Sequence, residues 1–302
     1  MSAAPQEPPA CQGPDPFVNP PGFAVPAHAC DTHAHVIGHV NGPADRFPMV
    51  ANRSYTPPPA PESAYLGMLD SLGMARGVLV QISVYGTDNR CMVESLKAHP
   101  DRLRGVAVVA PDVGDEELEA LHAAGVRGIR INVLFGGGVA IEEMERLAAR
   151  VAPLGWHIQL LIDARNLPEL GPRMMKLPVE VVFDHMGHMP VSSGVVHPGF
   201  QWMLRLLREG KAWVKLSGAY RISQLGAPFH DTLDFARTLV AAAPERCVWG
   251  SDWPHVSVEG PMFNTGALLD LLPLWVPEEA VRNRILVDNP ARLYGFATAT
   301  AG

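Results

Sequence analysis

Two histidines set two residues apart are the first sign of chemistry in this chain. They are His33 and His35 in "CDTHAHVIG", residues 30–38, just after a short apolar run. On a strand, residues i and i+2 face the same way, so both imidazoles can converge on one point. Such a pair can hold a metal, position a substrate, or only hydrogen-bond within a core. Partners for it come later in the chain. "FDHMGH" carries His185 with His188 three residues on, and "WGSDWPH" carries Asp252 with His255 three residues on. A carboxylate beside imidazoles suits general-base chemistry, in which a positioned side chain takes a proton from water. Aspartate is also a frequent turn residue, so Asp252 alone says little.

Arginines form the second group. "GIRINV" puts Arg130 and Asn132 on one face of a strand, and "KLSGAYR" ends in Arg221. A buried arginine is costly unless it is paired with a protein carboxylate or kept for a substrate one. Its planar fork suits a carboxylate held through two hydrogen bonds. Asp184 and Asp88 are the protein carboxylates placed to take it instead. His157 begins a strand, while His99, His122 and His230 lie in or beside helices. These four are read as structural.

The elements that must position these groups follow one rhythm. Strand-like apolar runs occupy residues 28–36, 77–83, 105–110, 128–133, 157–163, 179–184, 212–218 and 247–252. Helix-period segments lie between or after them, at 62–74, 89–98, 115–124, 141–152, 166–176, 199–209, 231–243 and 264–272. In the clearest, Ile141, Met144, Leu147, Ala148 and Val151 form one apolar stripe. Continuous apolar runs mark strands buried on both faces, as in parallel sheets. Eight strand–helix units predict a (β/α)8 TIM barrel of α/β class. The rival, a doubly wound open sheet, lacks the Gly-rich turn expected after its first strand. Residues 1–26 read as a Pro-rich arm, lying on the body or mobile, and 27–302 as one barrel domain. Barrel chemistry sits at the C-terminal ends of strands. The ends of strands one, six and eight bring His33, His35, His185 and Asp252 to one mouth.

Composition excludes several classes. The chain has 302 residues, with 24 basic against 31 acidic, a net charge of −7. That balance argues against nucleic acid as a partner, which needs basic surface. A few local arginines can still attract a small anionic substrate. Cys11, Cys30, Cys91 and Cys247 are scattered, with no CxxC pair and no disulfide framework. A reducing cytoplasm is the simpler setting. The N-terminus lacks the basic start and apolar core of a secretory signal, and no apolar run reaches membrane-spanning length. The outer helices show no readable partner face, so the oligomeric state is not read.

Taken together, "DTHAHV", "DHMGH", "LSGAYR", "WGSDWPH" and the final "DNPARLYGF" resemble the amidohydrolase superfamily. The likeness is to its amidohydrolase-related branch, which includes 2-pyrone-4,6-dicarboxylate lactonases. It implies a distorted amidohydrolase-type barrel and lactone hydrolysis. Asp252 would act as the base, with His33, His35 and His185 holding water or polarising the carbonyl. Arg130 and Arg221 would hold substrate carboxylates, with Asn132, Tyr55, Ser83 and His255 as further contacts. The superfamily's metal ligands include a lysine or glutamate on strand four and a histidine after strand five. This chain has Arg130 and "LLIDAR" there, which rules out a two-metal centre. No metal is expected to be required. A single zinc or manganese ion on His33, His35, His185 and Asp252 remains open. The branch carries a basic loop after strand four and a tyrosine near the end of strand five. This chain has "LFGGG", residues 134–138, and Leu160 and Leu161. Gly136, Gly137 and Gly138 could let a substrate approach backbone N–H groups, but read more simply as a flexible surface turn. Residues 37–61, with Arg46, Arg53 and Tyr55, read as a lid.

Overall fold

A computed structural model describes residues 7–38 and 46–297. Eight strands form one parallel sheet in sequential order. They are β1 Cys30–Ala34, β2 Arg76–Val80, β3 Leu103–Ala107, β4 Val126–Asn132, β5 His157–Leu161, β6 Val181–Phe183, β7 Ala212–Leu216 and β8 Cys247–Trp249. All eight are buried almost throughout, which accounts for their continuous apolar character. The intervening helices are α1 Glu62–Leu72, α2 Arg90–Ala98, α3 Asp115–Ala123, α4 Met144–Val151, α5 Leu167–Met174, α6 Pro198–Arg208, α7 Ala219–Ile222 and α8 Leu233–Ala242. The architecture is a (β/α)8 barrel.

The barrel closes through the residues of interest. Past the end of β8 the chain pairs with β1: Asp252 N–H donates to the His33 carbonyl and His35 N–H to the Trp253 carbonyl, each at 2.8 Å. Strand ends are shorter than the apolar runs suggested. β6 stops before Asp184, and β8 stops three residues before Asp252. The backbone there turns into the left-handed region, with φ of 49° at His185, 48° at His188, 63° at Asp252 and 61° at His255. Each such non-glycine residue costs on the order of 1–3 kcal/mol, and this strain gathers where side chains must be aimed. The helix expected at 264–272 divides into Thr265–Leu269 and Leu271–Trp275. Pro273 supplies no N–H to continue the ladder across that division.

The described part of the N-terminal arm lies along the rim of the mouth. Cys11 N–H donates to the Thr56 carbonyl and Thr56 N–H to the Pro9 carbonyl. Farther along, Gln12 reaches the Gly260 carbonyl and Gly22 N–H reaches Asp270. Among the described residues no helix is long and apolar enough to cross a membrane.

Candidate active site

At the C-terminal mouth lies a narrow cleft. His35, His185, Asp252, Arg130, Arg221, Asn132 and Tyr55 line it, together with His188, Phe135, Leu161 and Val256. His33 lies just beneath. Its ring is 5.1 Å from that of His35 and 4.7 Å from that of His185, so the three imidazoles form one cluster. Gly218 permits this closeness: a side chain there would come within 2.8 Å of the His185 ring, and its φ is +60°.

Asp252 is the centre of the arrangement, and its two oxygens have different surroundings. Oδ2 accepts from Arg221 Nε and from the Tyr220 hydroxyl, both at 2.6 Å. Oδ1 stands 3.7 Å from His33 Nε2 and 3.8 Å from His185 Nε2. Burial alone would raise this carboxyl. Arg221, His185 and His33 together outweigh it and hold the group well below the ordinary carboxylate range. Asp252 is therefore an anion with one oxygen pinned and the other free of hydrogen bonds among the described residues.

Each histidine ring is steered from behind. His35 Nδ1 lies 2.7 Å from the Val80 carbonyl, which can only accept. Nδ1 thus carries the proton, and Nε2 presents a lone pair. His185 Nδ1 meets the Ser217 hydroxyl at 2.9 Å. Burial pushes both rings well below their ordinary pKa, so both are neutral. His33 faces a choice. Its Nδ1 is 3.3 Å from the Lys215 ammonium, a donor, and 3.2 Å from Asp184 Oδ1, an acceptor. If Lys215 donates, Nε2 carries the proton and aims it toward Asp252. If Asp184 accepts, Nε2 presents a lone pair.

That alternative decides how well a cation fits. His33 Nε2 is buried without a hydrogen-bond partner among the described residues. Ligand atoms of His33, His35 and Asp252 lie within 4.8 Å of one another. With the lone-pair form of His33, two imidazole nitrogens and a carboxylate converge, a donor set that fits one divalent ion. His33 and His185 also group with Asp184. Asp184, however, already meets Arg130 at 3.1 Å and Lys215 at 3.6 Å.

The sequence reading missed the layer beneath the mouth. Lys215 on β7 is fully buried, donating to the Thr32 carbonyl at 2.8 Å and to Gln159 at 2.7 Å. Burial brings its pKa down to about 8, against the pull of Asp184. Gln159 also donates to Asp184 Oδ2. The signal was present: a lysine in "AWVKLSG" and a glutamine in "HIQLLID" interrupt strands that are otherwise apolar. Buried polar groups in such runs require partners.

Other expectations need correcting. Arg130 lines the cleft but takes one of the two protein carboxylates named as its alternative: Nε and Nη2 both bond Asp184 Oδ2, at 3.2 and 3.1 Å. Arg221 is tied to Asp252 and, through Nη2, to the Val256 carbonyl. His255 does not line the cleft. Its left-handed backbone turns the ring toward Thr265 at 3.0 Å and Tyr220 at 3.3 Å, behind Asp252. Ser83 lies beyond β2 and bonds the Tyr55 hydroxyl at 3.2 Å instead of lining the cleft.

Gly136, Gly137 and Gly138 are not a loose surface turn. A Cβ on each would lie 2.1 Å from the Asn52 carbonyl oxygen, 2.3 Å from that of Ser83 and 2.0 Å from that of Asn132. Only glycine allows these backbones so close. The turn thereby fastens 46–61, the described part of the expected lid beyond residue 38, against the segment after β2 and the end of β4. Gly136 N–H to Ser54 Oγ and Val50 N–H to the Val84 carbonyl, both 2.8 Å, complete the latch. Arg46 and Arg53 point to Glu94 and Val50, away from the cleft lining. Residues 39–45 of that loop lie outside the described residues.

Comparison with known proteins identifies the family. The Amidohydrolase family model matches residues 30–296. The chain is 39% identical to 2-pyrone-4,6-dicarboxylate hydrolase of Comamonas testosteroni, covering 92% of this chain and 94% of that protein. It is 37% identical to 4-sulfomuconolactone hydrolase of Rhizobium radiobacter, covering 95% and 96%. Among solved structures, a probable 2-pyrone-4,6-dicarboxylic acid hydrolase from Acinetobacter baumannii with bound citric acid superposes with a TM-score of 0.77. It has 29% identity, over 89% of this chain and all of that one. With its barrel, its mouth cluster and these full-length likenesses, the chain belongs to the amidohydrolase family.

Proposed function

We propose that this protein is a lactonase: a hydrolase that opens a carboxylated or sugar-acid lactone. One observation carries the reading. Asp252 has Oδ2 pinned by Arg221 and Tyr220 while Oδ1 faces two imidazoles across a gap of 3.7–3.8 Å. A water beside that pair, at hydrogen-bond distance from Oδ1 and from an imidazole nitrogen, would be held at the mouth. Asp252 Oδ1 takes a proton from this water as its oxygen bonds to the lactone carbonyl carbon. The carbonyl oxygen takes up negative charge and is met by N–H donors from the imidazole cluster and Arg221. The ring C–O bond then breaks, and the proton held by Asp252 passes to the leaving oxygen. The products are an opened hydroxy acid, or its keto form, and a restored Asp252 anion. The names of the full-length relatives, both hydrolases of lactone-type rings, support this assignment.

In this reading Lys215 donates to His33, so Nε2–H faces the reacting centre and no metal is required. The second reading is a hydrolase or decarboxylase dependent on one metal. It is favoured by the unpartnered His33 Nε2 and the inward lone pair of His35. His33, His35, His185 and Asp252 would hold that zinc or manganese ion, which would supply Lewis-acid polarisation. Residues 27–302 act as one domain and 1–26 as its arm. Four free cysteines accord with a cytoplasmic setting.

The test is a panel of carboxylated and sugar-acid lactones assayed by proton release, with and without chelator. Ring opening that survives chelation supports the first reading. Opening lost with chelation and restored by zinc or manganese supports the second. Opening of no lactone contradicts both as lactonase assignments.

A further inference from the structure

Behind Asp252, away from the cleft, runs a chain of polar side chains. The Tyr220 hydroxyl meets Asp252 Oδ2 at 2.6 Å and His255 Nδ1 at 3.3 Å, and His255 Nε2 meets the Thr265 hydroxyl at 3.0 Å. His255 is fully buried and Thr265 nearly so, and neither lines the cleft. The Tyr220 ring lies on Phe263, with centroids 4.7 Å apart. The His255 backbone N–H donates to the Asp252 carbonyl at 2.8 Å, which holds the ring behind the carboxylate.

Chemistry fixes the direction of each bond in this chain. Asp252 is an anion and can only accept, so the phenol gives its proton to Oδ2, at the shorter of its two contacts. The phenol oxygen then offers His255 only lone pairs. The His255 ring touches no carboxylate among the described residues, and burial brings its pKa down to about 4, so it is neutral and carries one proton. With that proton on Nδ1, the contact with Tyr220 is a hydrogen bond; with Nδ1 bare, two sets of lone pairs would face each other. The proton therefore sits on Nδ1, and Nε2 must accept from Thr265 Oγ1–H. Thr265 suits that part. It is the first residue of the helix Thr265–Leu269, where no preceding turn supplies the carbonyl to which a mid-helix threonine can donate.

Building on the lactonase reading, we infer that Thr265 and His255 are positioning residues for the reaction: with Tyr220 they form a one-way series of donors that ends on Asp252 Oδ2 and keeps Oδ1 turned toward the imidazoles and the attacking water. Arg221 Nε alone would leave the carboxylate free to swing about a single bond; the second donor fixes its aim. The series is buried, where successive hydrogen bonds polarise one another. Loss of the Thr265 hydroxyl, two bonds from the carboxylate, should therefore lower kcat about threefold.

The test has two arms. Long-range proton–nitrogen NMR on the full-length protein with isotope-labelled histidine reads the His255 tautomer, its signals assigned by their loss in His255→Asn. A proton on Nδ1 is expected, and a proton on Nε2 overturns the proposal. Steady-state kinetics on the best lactone then compare Thr265→Val, which keeps the shape and deletes the hydroxyl, with Thr265→Ser, which keeps the hydroxyl. The expected result is kcat about threefold lower in Thr265→Val with KM within about 1.5-fold, and wild-type kcat in Thr265→Ser. Unchanged kcat in Thr265→Val overturns the proposal, as do equal losses in the two variants. Should Thr265→Val fail to fold, Tyr220→Phe takes its place: kcat about tenfold lower with KM little changed is expected, and kcat within about twofold of wild type overturns the proposal. If no lactone is opened, the lactonase reading falls, and the wild-type tautomer alone decides the direction of the chain.

Discussion

The glycine latch makes a prediction whose size follows from the structure. Consider Gly137→Ala. Gly137 has φ +90°, and a Cβ there would lie 2.3 Å from the Ser83 carbonyl oxygen and 3.3 Å from Val50 Cγ2. The left-handed backbone costs an alanine roughly 1–2 kcal/mol. The carbonyl contact must also open by most of an ångström, and that carbonyl is backbone, which yields poorly. Separating the turn from the first loop breaks the bonds from Gly136 to Ser54 and from Val50 to Val84. These are worth about 1 kcal/mol each. The expected result is local opening favoured by roughly 3 kcal/mol, a change of about a hundredfold in the open population. Hydrogen exchange read over residues 46–60 and 132–138 measures it directly, and those segments should exchange about a hundredfold faster. Tyr55, 5.7 Å from the Phe135 ring, sits at this seam, so kcat/KM should fall mainly through KM. Gly114→Ala is the control: Gly114 has φ −77° and open space at its Cβ. Wild-type exchange rates in Gly137→Ala would show that the first loop is not fastened by these glycines.

Two further predictions concern the buried charges. Removing the Lys215 ammonium as Lys215→Met leaves Asp184 to accept from His33 Nδ1, so Nε2 turns a lone pair inward. Zinc affinity, by calorimetry on metal-free protein, should rise at least about tenfold; unchanged affinity would mean that Lys215 does not set the His33 tautomer. Asp31, buried and bonded by Ser251, His33 and Tyr65, is pushed up by burial to about 6 from an ordinary 3.8. The folded state therefore holds this proton more tightly, and Asp31 should lower stability as pH rises from about 4 to 6, by roughly 3 kcal/mol in full. Asp184 and Asp252, both held well below 3.8, act oppositely: their contribution is present above about pH 4 and lost only as pH falls through their lowered values. Urea unfolding across this range should show a flatter or rising trend for Asp31→Asn; identical slopes in variant and wild type would count against the raised Asp31 value.

The barrel was legible because parallel strands buried on both faces leave continuous apolar runs, and eight of them alternate with helix-period segments. His33, His35, His185 and Asp252 were legible because strand ends in a barrel share one mouth. What the sequence hid follows from geometry beyond the strand ends. Left-handed turns at His185, Asp252 and His255 redirect side chains in ways that spacing by two or three does not foresee, which is why His255 falls behind Asp252. Arginines at strand ends are recognisable as costly, and Asp184 was one of two partners the sequence offered, but the pairing of Arg221 with Asp252 depends on contacts between distant strands. The glycines of "LFGGG" read as freedom; in the fold they are close approach, because three backbone carbonyls occupy the space of their missing side chains. Lys215 and Gln159 were readable as polar residues in apolar strands, though their partners were not.

The central claim is that Asp252 takes the proton from the attacking water. Its most direct measurement is steady-state lactone hydrolysis by Asp252→Asn against wild type, on the best lactone of the panel. Asparagine keeps an acceptor oxygen for Arg221 but cannot take the proton. The account expects kcat to fall about 10²–10⁴-fold with KM changed by no more than a few fold. An Asp252→Asn enzyme with kcat within a few fold of wild type would contradict it.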